Sequence, residues 1–395
     1  MIVSSIYLYR VVEYDGLYFQ FQQAEETAVI IGGDDSNMNA CLLAENFRGK
    51  NLKIRVIGCP KTIDGDLKCK EIPTSFGFDT ACRIYAEMIG NVMIDAGQLE
   101  NIIILTGCAT SHITLECALQ TQPNITIIGE EFFLCLVYFF LQVAAKKQIL
   151  KNVRDYIVDI ICKRAELGYN YGVILISEGL NDFIPEVQQL IVELNDVLAR
   201  EVFDENGQWK KKLTGQSAQL FAFLPQAIQE QLMLERDSHG NVQVAKIETE
   251  KMLMEMVDTE LGKRKKEGAY KGKFKGQSHF FGYEGRCGLP TNFDASYRYA
   301  LGYAARALFH SRKTGLISLF GNLSAPVDQW TVGGTALTSL MDVEKRHGAP
   351  FKKFASLRDE WALKNHYLSP GPIQFCGQTA TAVNRTLLLE IGAKV

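Results

Sequence analysis

Short apolar runs that stop abruptly at glycine or acidic residues alternate along this chain with longer stretches whose apolar side chains recur every three or four residues. The first kind reads as buried strands and the second as amphipathic helices. Runs at residues 28–31, 56–57, 101–105, 125–128, 173–176 and 316–320 are strand-like. Helical spacing marks Ala40, Leu43, Ala44 and Phe47, and then Ala81, Ile84, Tyr85, Met88, Ile89 and Val92. It returns at Leu150, Val153, Ile157, Ile160 and Ile161, and at Met252, Leu253, Met256, Val257 and Leu261. A further helix is expected to run through Leu119, and residues 190–275 read as largely helical and charged. The basic run from Lys263 to Lys266, followed by Gly268, reads as a solvated helix end and its stop rather than a binding patch. Gly333-Gly334 reads as a turn ahead of C-terminal helices. Alternating strands and helices predict an α/β fold.

Two strand ends open into acidic, glycine-punctuated segments, Gly32-Gly33-Asp34-Asp35-Ser36-Asn37 and Pro60-Lys61-Thr62-Ile63-Asp64-Gly65-Asp66. With one helix between them, both would leave the carboxyl ends of neighbouring parallel strands, where open α/β sheets bind ligands. Asp34, Asp35, Asp64, Asp66 and Lys61 would then share a crevice, and that many like charges repel unless a cation joins them. Hard oxygen donors beside glycine-rich backbone suit Mg²⁺ carrying a phosphate group. Either segment alone also fits an ordinary strand-ending turn, since Asp and Gly populate such turns. Ser177-Glu178-Gly179 puts a carboxylate at a third strand end. Residues 279–294 set Tyr283, Glu284 and Arg286 among glycine and proline breaks. One Arg and one Tyr in such a loop suit a sugar phosphate, because Arg pairs bidentately with phosphate oxygens. An Arg that merely bridges two loops is the alternative.

The totals narrow the field. With 395 residues, 47% hydrophobic and 22% charged, the chain is globular and long enough for two or three domains. A net charge of −3 gives no reason to expect nucleic acid or an anionic membrane as partner. The ten cysteines contain no Cys-x-x-Cys pair, and Cys82, Cys117 and Cys162 lie in apolar company, as free thiols of a reducing compartment do. Residues 1–9 lack the basic leader and cleavage site of a signal peptide, so the cytosol is expected. The Phe-rich run at 132–145 is shorter than the roughly 20 residues a membrane span needs and reads as a buried segment rather than an anchor. No internal repeat or low-complexity linker stands out.

These motifs, with Pro73-Thr74-Ser75-Phe76-Gly77-Phe78-Asp79 and Gly282-Tyr283-Glu284-Gly285-Arg286, resemble pyrophosphate-dependent phosphofructokinases, most of all the catalytic (beta) subunits of plants. The similarity covers most of residues 22–131 and 146–375, with several independent motifs in the family's order. The resemblance implies a phosphofructokinase-like α/β fold of two doubly wound α/β/α domains, the first truncated at its N-terminus. By that likeness, 1–76 plus 288–345 form the pyrophosphate/Mg²⁺ domain, 77–287 the sugar-phosphate domain with a helical insertion, and 346–395 a C-terminal helical segment. It also implies reversible Mg²⁺-dependent phosphoryl transfer from pyrophosphate to fructose 6-phosphate in glycolysis and gluconeogenesis. Assembly with a regulatory alpha subunit and activation by fructose 2,6-bisphosphate would go with it. By position, Asp64 matches the general base, Asp34 the Mg²⁺-associated carboxylate, and Asp35 with Lys61 the pair that selects pyrophosphate over ATP. Thr62 and Ile63 match substrate contacts, and Glu178, Tyr283, Glu284, Gly285 and Arg286 match sugar-phosphate contacts.

Several positions depart from the family. Its N-terminal glycine-rich donor loop has no counterpart in residues 1–27, and a short piece of helix before Ala28 is missing. Its Met-Gly-Arg sugar-phosphate motif stands here as Thr106-Gly107-Cys108, and Gln98, Leu99 and Ile104 occupy places of a Lys-Tyr pair and another Arg. Ser177 replaces a proline, residues 132–145 replace a short polar segment, and a helix is shortened between Arg346 and Gly348. The changes sit at abrupt breaks, as misplaced exon boundaries or a damaged gene copy would leave them. A subunit with feeble or absent turnover is therefore a competing expectation, and an Arg at position 108 alone is not expected to rescue it. An ATP-dependent phosphofructokinase is disfavoured by Asp35 and Lys61.

Overall fold

The computed structural model describes residues 27–63, 67, 69, 71–99, 102–107, 111–129, 140–142, 149–199, 213–234, 247–346 and 349–354. They divide into two compact units, one from 27–80 with 289–354 and one from 81–288.

The first unit opens with β1 (Thr27–Gly32), α1 (Asp34–Gly49) and β2 (Arg55–Thr62), the two strands pairing in parallel with Gly32 level with Pro60. Spacing alone starts the helix near residue 39 and leaves Asp34 and Asp35 in a loop. The structure puts both in the first turn of α1. Unpaired N–H groups and the positive end of the helix dipole favour carboxylates there. Met38, Ala40, Cys41 and Ala44 of α1 pack on Val56 and on Ile317, Leu337 and Leu340 from much later in the chain. β3 (Phe76–Gly77) pairs with the end of β2, and α2 (Phe78–Leu99) starts here and continues into the second unit. Its buried stripe runs through Ala81, Cys82, Tyr85, Ala86, Ile89 and Ala96. Ile84, Met88 and Val92, expected in the core, are only half-buried.

The second unit follows with β4 (Ile102–Gly107), α3 (Ser111–Thr121), β5 (Ile125–Ile128), β6 (Phe140–Gln142), α4 (Leu150–Glu166) and β7 (Gly172–Ser177). Then come α5 (Pro185–Ala199), α6 (Gly215–Phe223), α7 (Gln226–Leu234), α8 (Thr249–Lys266) and β8 (Gly276–Phe281). The sheet runs β6-β5-β7-β4-β8 and every pair is parallel. Parallel strands are covered on both faces, which is why β5 and β7 read as unbroken apolar runs and are wholly buried. The stripes read from the sequence supply the cover. Leu150, Val153, Ile157 and Ile161 of α4 share one core with Met252, Leu253, Met256, Val257 and Leu261 of α8. Of the Phe-rich run, 140–142 form β6 and the rest lies outside the described residues. No described helix is long and apolar enough to cross a membrane.

The chain returns to the first unit as α9 (Asn292–His310), β9 (Leu316–Gly321), β10 (Thr331–Ala336), β11 (Met341–Arg346) and β12 (Ala349–Phe354). β9 lies parallel beside β2, and β10 closes that side antiparallel to β9, so this sheet is mixed. Gly333 and Gly334 are not a turn. They lie inside β10, where an added Cβ would meet Leu319 Cδ1 at 2.9 Å and Leu308 Cδ1 at 2.8 Å. Residues 349–354, expected to be helical, pair with β11 as an antiparallel hairpin. The remainder of the expected C-terminal segment lies outside the described residues.

Candidate functional site

The first unit carries its described candidate residues on one sheet edge. Because Gly32 and Pro60 are partners in a parallel ladder, Gly33-Asp34-Asp35 and Lys61-Thr62-Ile63 leave that edge side by side. Asn37, fully buried in α1, ties the turn together. Its Nδ2 donates to the Gly32 carbonyl at 2.7 Å and the Gly33 carbonyl at 2.8 Å. It fits only because residue 58 of β2 has no side chain, since a Cβ there would lie 2.3 Å from Asn37 Oδ1. Asp34 is half-buried and its Oδ1 accepts the Asp35 N–H at 2.8 Å, while Asp35 is exposed. Lys61 is exposed at the end of β2, next to the buried Thr62. Lys61 and Thr62 pair with Phe76 and Gly77 of β3, and the Thr62 carbonyl accepts Ser75 Oγ at 2.8 Å.

The second unit gathers the described residues among the expected sugar-phosphate contacts in the same manner. Gly107 of β4 lies level with Ser177 of β7 on one side and Phe281 of β8 on the other. Thr106-Gly107, Glu178 and the 282–286 segment therefore stand at the carboxyl ends of three adjacent parallel strands. Glu178 is half-buried and begins a short 3₁₀ turn, Glu178–Phe183. Tyr283–Arg286 form another, in which Glu284 and Arg286 are exposed. This turn sits on Tyr85 of α2. The Tyr85 hydroxyl donates to the Gly282 carbonyl at 2.9 Å, and a Cβ on Gly285 would lie 2.1 Å from Tyr85 Cε1. Sequence reasoning gave Tyr85 only a place in a helical core stripe, because a ring that meets backbone of residue 285 leaves no mark in local spacing.

Asp64, Asp66 and Cys108 lie outside the described residues, and Tyr283 is described by its backbone alone. The described donor chemistry fits Mg²⁺. That ion typically takes one or two carboxylates and completes its shell with water and substrate phosphates. Asp34 offers such a carboxylate with solvent access at a sheet edge. Among the described residues no three His, Cys, Asp or Glu side chains are grouped as an all-protein metal cage would need. The described cysteines are free thiols, five of them buried, as the sequence leads one to expect. Burial pushes Cys59 up to about 11, its contact with Ser318 offsetting only part of the shift.

A phosphofructokinase family model matches residues 17–309. The chain belongs to the phosphofructokinase family. A relative in Arabidopsis thaliana, pyrophosphate–fructose 6-phosphate 1-phosphotransferase subunit beta 1, is 71% identical over 401 residues, covering 95% of this chain and 69% of its own length. Subunit alpha of the corresponding protein in Solanum tuberosum is 35% identical over 387 residues, covering 92% of this chain and 61% of its own length. Among solved structures, a pyrophosphate-dependent phosphofructokinase from Nitrosospira multiformis is similar with a TM-score of 0.49 and 15% identity, over 85% of this chain and 66% of that one. Within the family the chain therefore stands with the beta subunits, at twice the identity it has to the alpha subunit.

Proposed function

We propose that this phosphofructokinase is a catalytic, beta-type subunit that moves a phosphoryl group reversibly between pyrophosphate and the 1-hydroxyl of fructose 6-phosphate. The observation that supports it best is the shared ladder row of Gly32 and Pro60, which sends Asp34 and Asp35 from one strand end and Lys61 from its neighbour. Phosphoryl transfer asks for positioning and for charge on the transferring oxygens more than for covalent chemistry. Bound at Asp34, Mg²⁺ would supply positive charge to those oxygens. Lys61 adds its ammonium at the donor. Asp35 stands where a nucleotide's α-phosphate would lie and repels it by like charge, whereas pyrophosphate ends before that point. Asp64 takes the proton of the 1-hydroxyl, a task that needs hydrogen-bond reach rather than a raised pKa. Thr62 and Ile63 contact substrate beside it. On the second unit Thr106, Gly107, Cys108, Glu178 and Tyr283 to Arg286 meet the sugar phosphate, with the Arg286 guanidinium forking onto its oxygens. The cytosol and a regulatory alpha subunit complete the reading.

A second reading, a subunit with little or no turnover of its own, is favoured by Cys108. A family arginine there would give the sugar phosphate a charged hydrogen bond, worth roughly 1.5–3 kcal/mol. One assay separates the two. Purified protein is given fructose 6-phosphate, Mg²⁺ and either pyrophosphate or ATP, with and without an alpha subunit. Pyrophosphate-only formation of fructose 1,6-bisphosphate, weaker than in relatives that keep the arginine, is the expected result. Turnover with ATP would overturn the assignment, and silence with retained assembly would establish the second reading.

A further inference from the structure

We propose that Asp294 is a positioning residue for the transferring end of β2, an inference that rests on the reading of that end as the pyrophosphate site. Asp294 lies in the first turn of α9, is 1% exposed, and sends its carboxylate away from its own helix. One oxygen accepts the Gly77 N–H at 2.9 Å, and the other accepts the Thr80 N–H at 2.9 Å and the Thr80 hydroxyl. The helix does not need that carboxylate as its cap. Thr291 already caps it by accepting the Asp294 N–H at 3.2 Å. Residues 79 and 80 answer in kind, since Thr291 donates its hydroxyl to Asp79 Oδ2 at 2.6 Å and its N–H to Thr80 Oγ1 at 3.1 Å. A carboxyl group is buried at such a place only when hydrogen bonds offset its lost hydration. Here all three bonds go to one four-residue stretch.

That stretch holds the end of β2. Gly77 faces Thr62 across the ladder with φ of +101°, a backbone that favours glycine, and its vacant Cβ position is 3.3 Å from Ile63 Cγ2. Two residues earlier, Ser75 bonds the Thr62 carbonyl, and the fully buried Tyr297 of α9 donates its hydroxyl to the Thr74 carbonyl at 2.8 Å. Two routes thus join α9 to Thr62, one from Asp294 through Gly77 and its ladder pairing, the other from Tyr297 through Thr74 and the Ser75 hydroxyl. Thr62 and Ile63 directly precede Asp64 and directly follow Lys61. Their placement is set by α9 rather than by β2 alone.

The test compares the full-length protein with Asp294→Asn, which keeps the shape and turns one acceptor into a donor facing N–H or O–H groups. Two readouts are needed: amide hydrogen exchange by peptide, and Mg²⁺-dependent pyrophosphate binding by calorimetry. Expected are about tenfold faster exchange at residues 61–66 and 74–80, unchanged exchange in β1 and β9, and about tenfold weaker pyrophosphate binding, as the loss of a hydrogen bond to a charged group implies. Thr80→Ser, which keeps the hydroxyl, should match wild type on both counts. If Asp294→Asn does not fold, Thr80→Val carries the same expectation with a smaller effect. Exchange that rises evenly over the whole first unit, or pyrophosphate affinity that stays the same while the 61–66 amides loosen, would overturn the role. A wild-type protein that binds no pyrophosphate would instead sink the reading of the site, and this role with it.

Discussion

The two candidate edges are built alike and held differently. In both, a parallel ladder sets a strand-ending glycine level with its neighbours, Gly32 with Pro60 and Gly107 with Ser177 and Phe281, and lets the functional residues leave side by side. On the first unit the edge is then pinned by side-chain hydrogen bonds, with Asn37 on the Gly32 and Gly33 carbonyls, Ser75 on Thr62, and Asp294 on Gly77 and Thr80. On the second unit the 282–286 turn rests on the Tyr85 ring, whose hydroxyl donates to the Gly282 carbonyl. A clamp of hydrogen bonds depends on which atoms donate and accept and forgives small changes of volume. A steric seat depends on volume and is indifferent to polarity. Substitutions that alter one property at a time should therefore separate the two edges.

The largest effect is expected at the seat. In Gly285→Ala the new methyl would lie 2.1 Å from Tyr85 Cε1 and 2.2 Å from Cζ, and Tyr85 is 1% exposed, so its ring cannot swing into solvent. Overpacking of this kind typically costs about 1–3 kcal/mol, and contact this close belongs at the upper end. Urea unfolding should place Gly285→Ala about 3 kcal/mol below wild type, with fructose 6-phosphate binding weakened in parallel. Wild-type stability in this variant would show that the turn does not depend on the ring.

The second effect belongs to the first unit and is read by pH. Burial raises Cys59 from 9.0 to about 11, so in this window the folded state holds a proton that the unfolded chain releases. Stability from this thiol is fully present below pH 9 and is lost as pH rises towards 11. At about 1.4 kcal/mol per pKa unit the loss amounts to roughly 2–3 kcal/mol. Unfolding midpoints measured across that range should fall steadily, and Cys59→Ser should flatten the fall. A pH-independent midpoint up to 11 would mean that the sheet beside Ser318 admits water.

Much of this was legible in the sequence, for particular reasons. The stripes of α4 and α8 and the apolar runs of β5 and β7 survive as written, because a sheet covered on both faces leaves an unambiguous pattern. The residues at both edges were legible as strand ends punctuated by glycine. What fixes them was not. Asp294 meets Gly77 across 217 positions of chain and Tyr85 meets Gly282 across 197, and neither spacing carries a local signal. The start of α1 was misplaced because glycine followed by aspartates reads equally as a loop or as the first turn of a helix. The glycines of β10 were misplaced because glycine marks close backbone approach as readily as a turn.

The smallest and sharpest test uses one chemical change on both units. Tyr297→Phe and Tyr85→Phe each delete a single hydroxyl that donates to a backbone carbonyl, at 2.8 Å to Thr74 and at 2.9 Å to Gly282. Tyr297 and Thr74 are both buried, so no water replaces the lost donor, and the Thr74 carbonyl bears the penalty of a deserted buried acceptor. Gly282 is half-exposed, and solvent can take over its carbonyl. Tyr297→Phe should therefore lower stability by about 1–2 kcal/mol and Tyr85→Phe by about 0.5 kcal/mol, measured by urea unfolding at neutral pH. The phenylalanine at 85 still fills the space under Gly285, so the seat should persist and fructose 6-phosphate binding should hold. Equal losses, or a larger one at Tyr85, would mean that the second edge is hydrogen-bonded into place as firmly as the first.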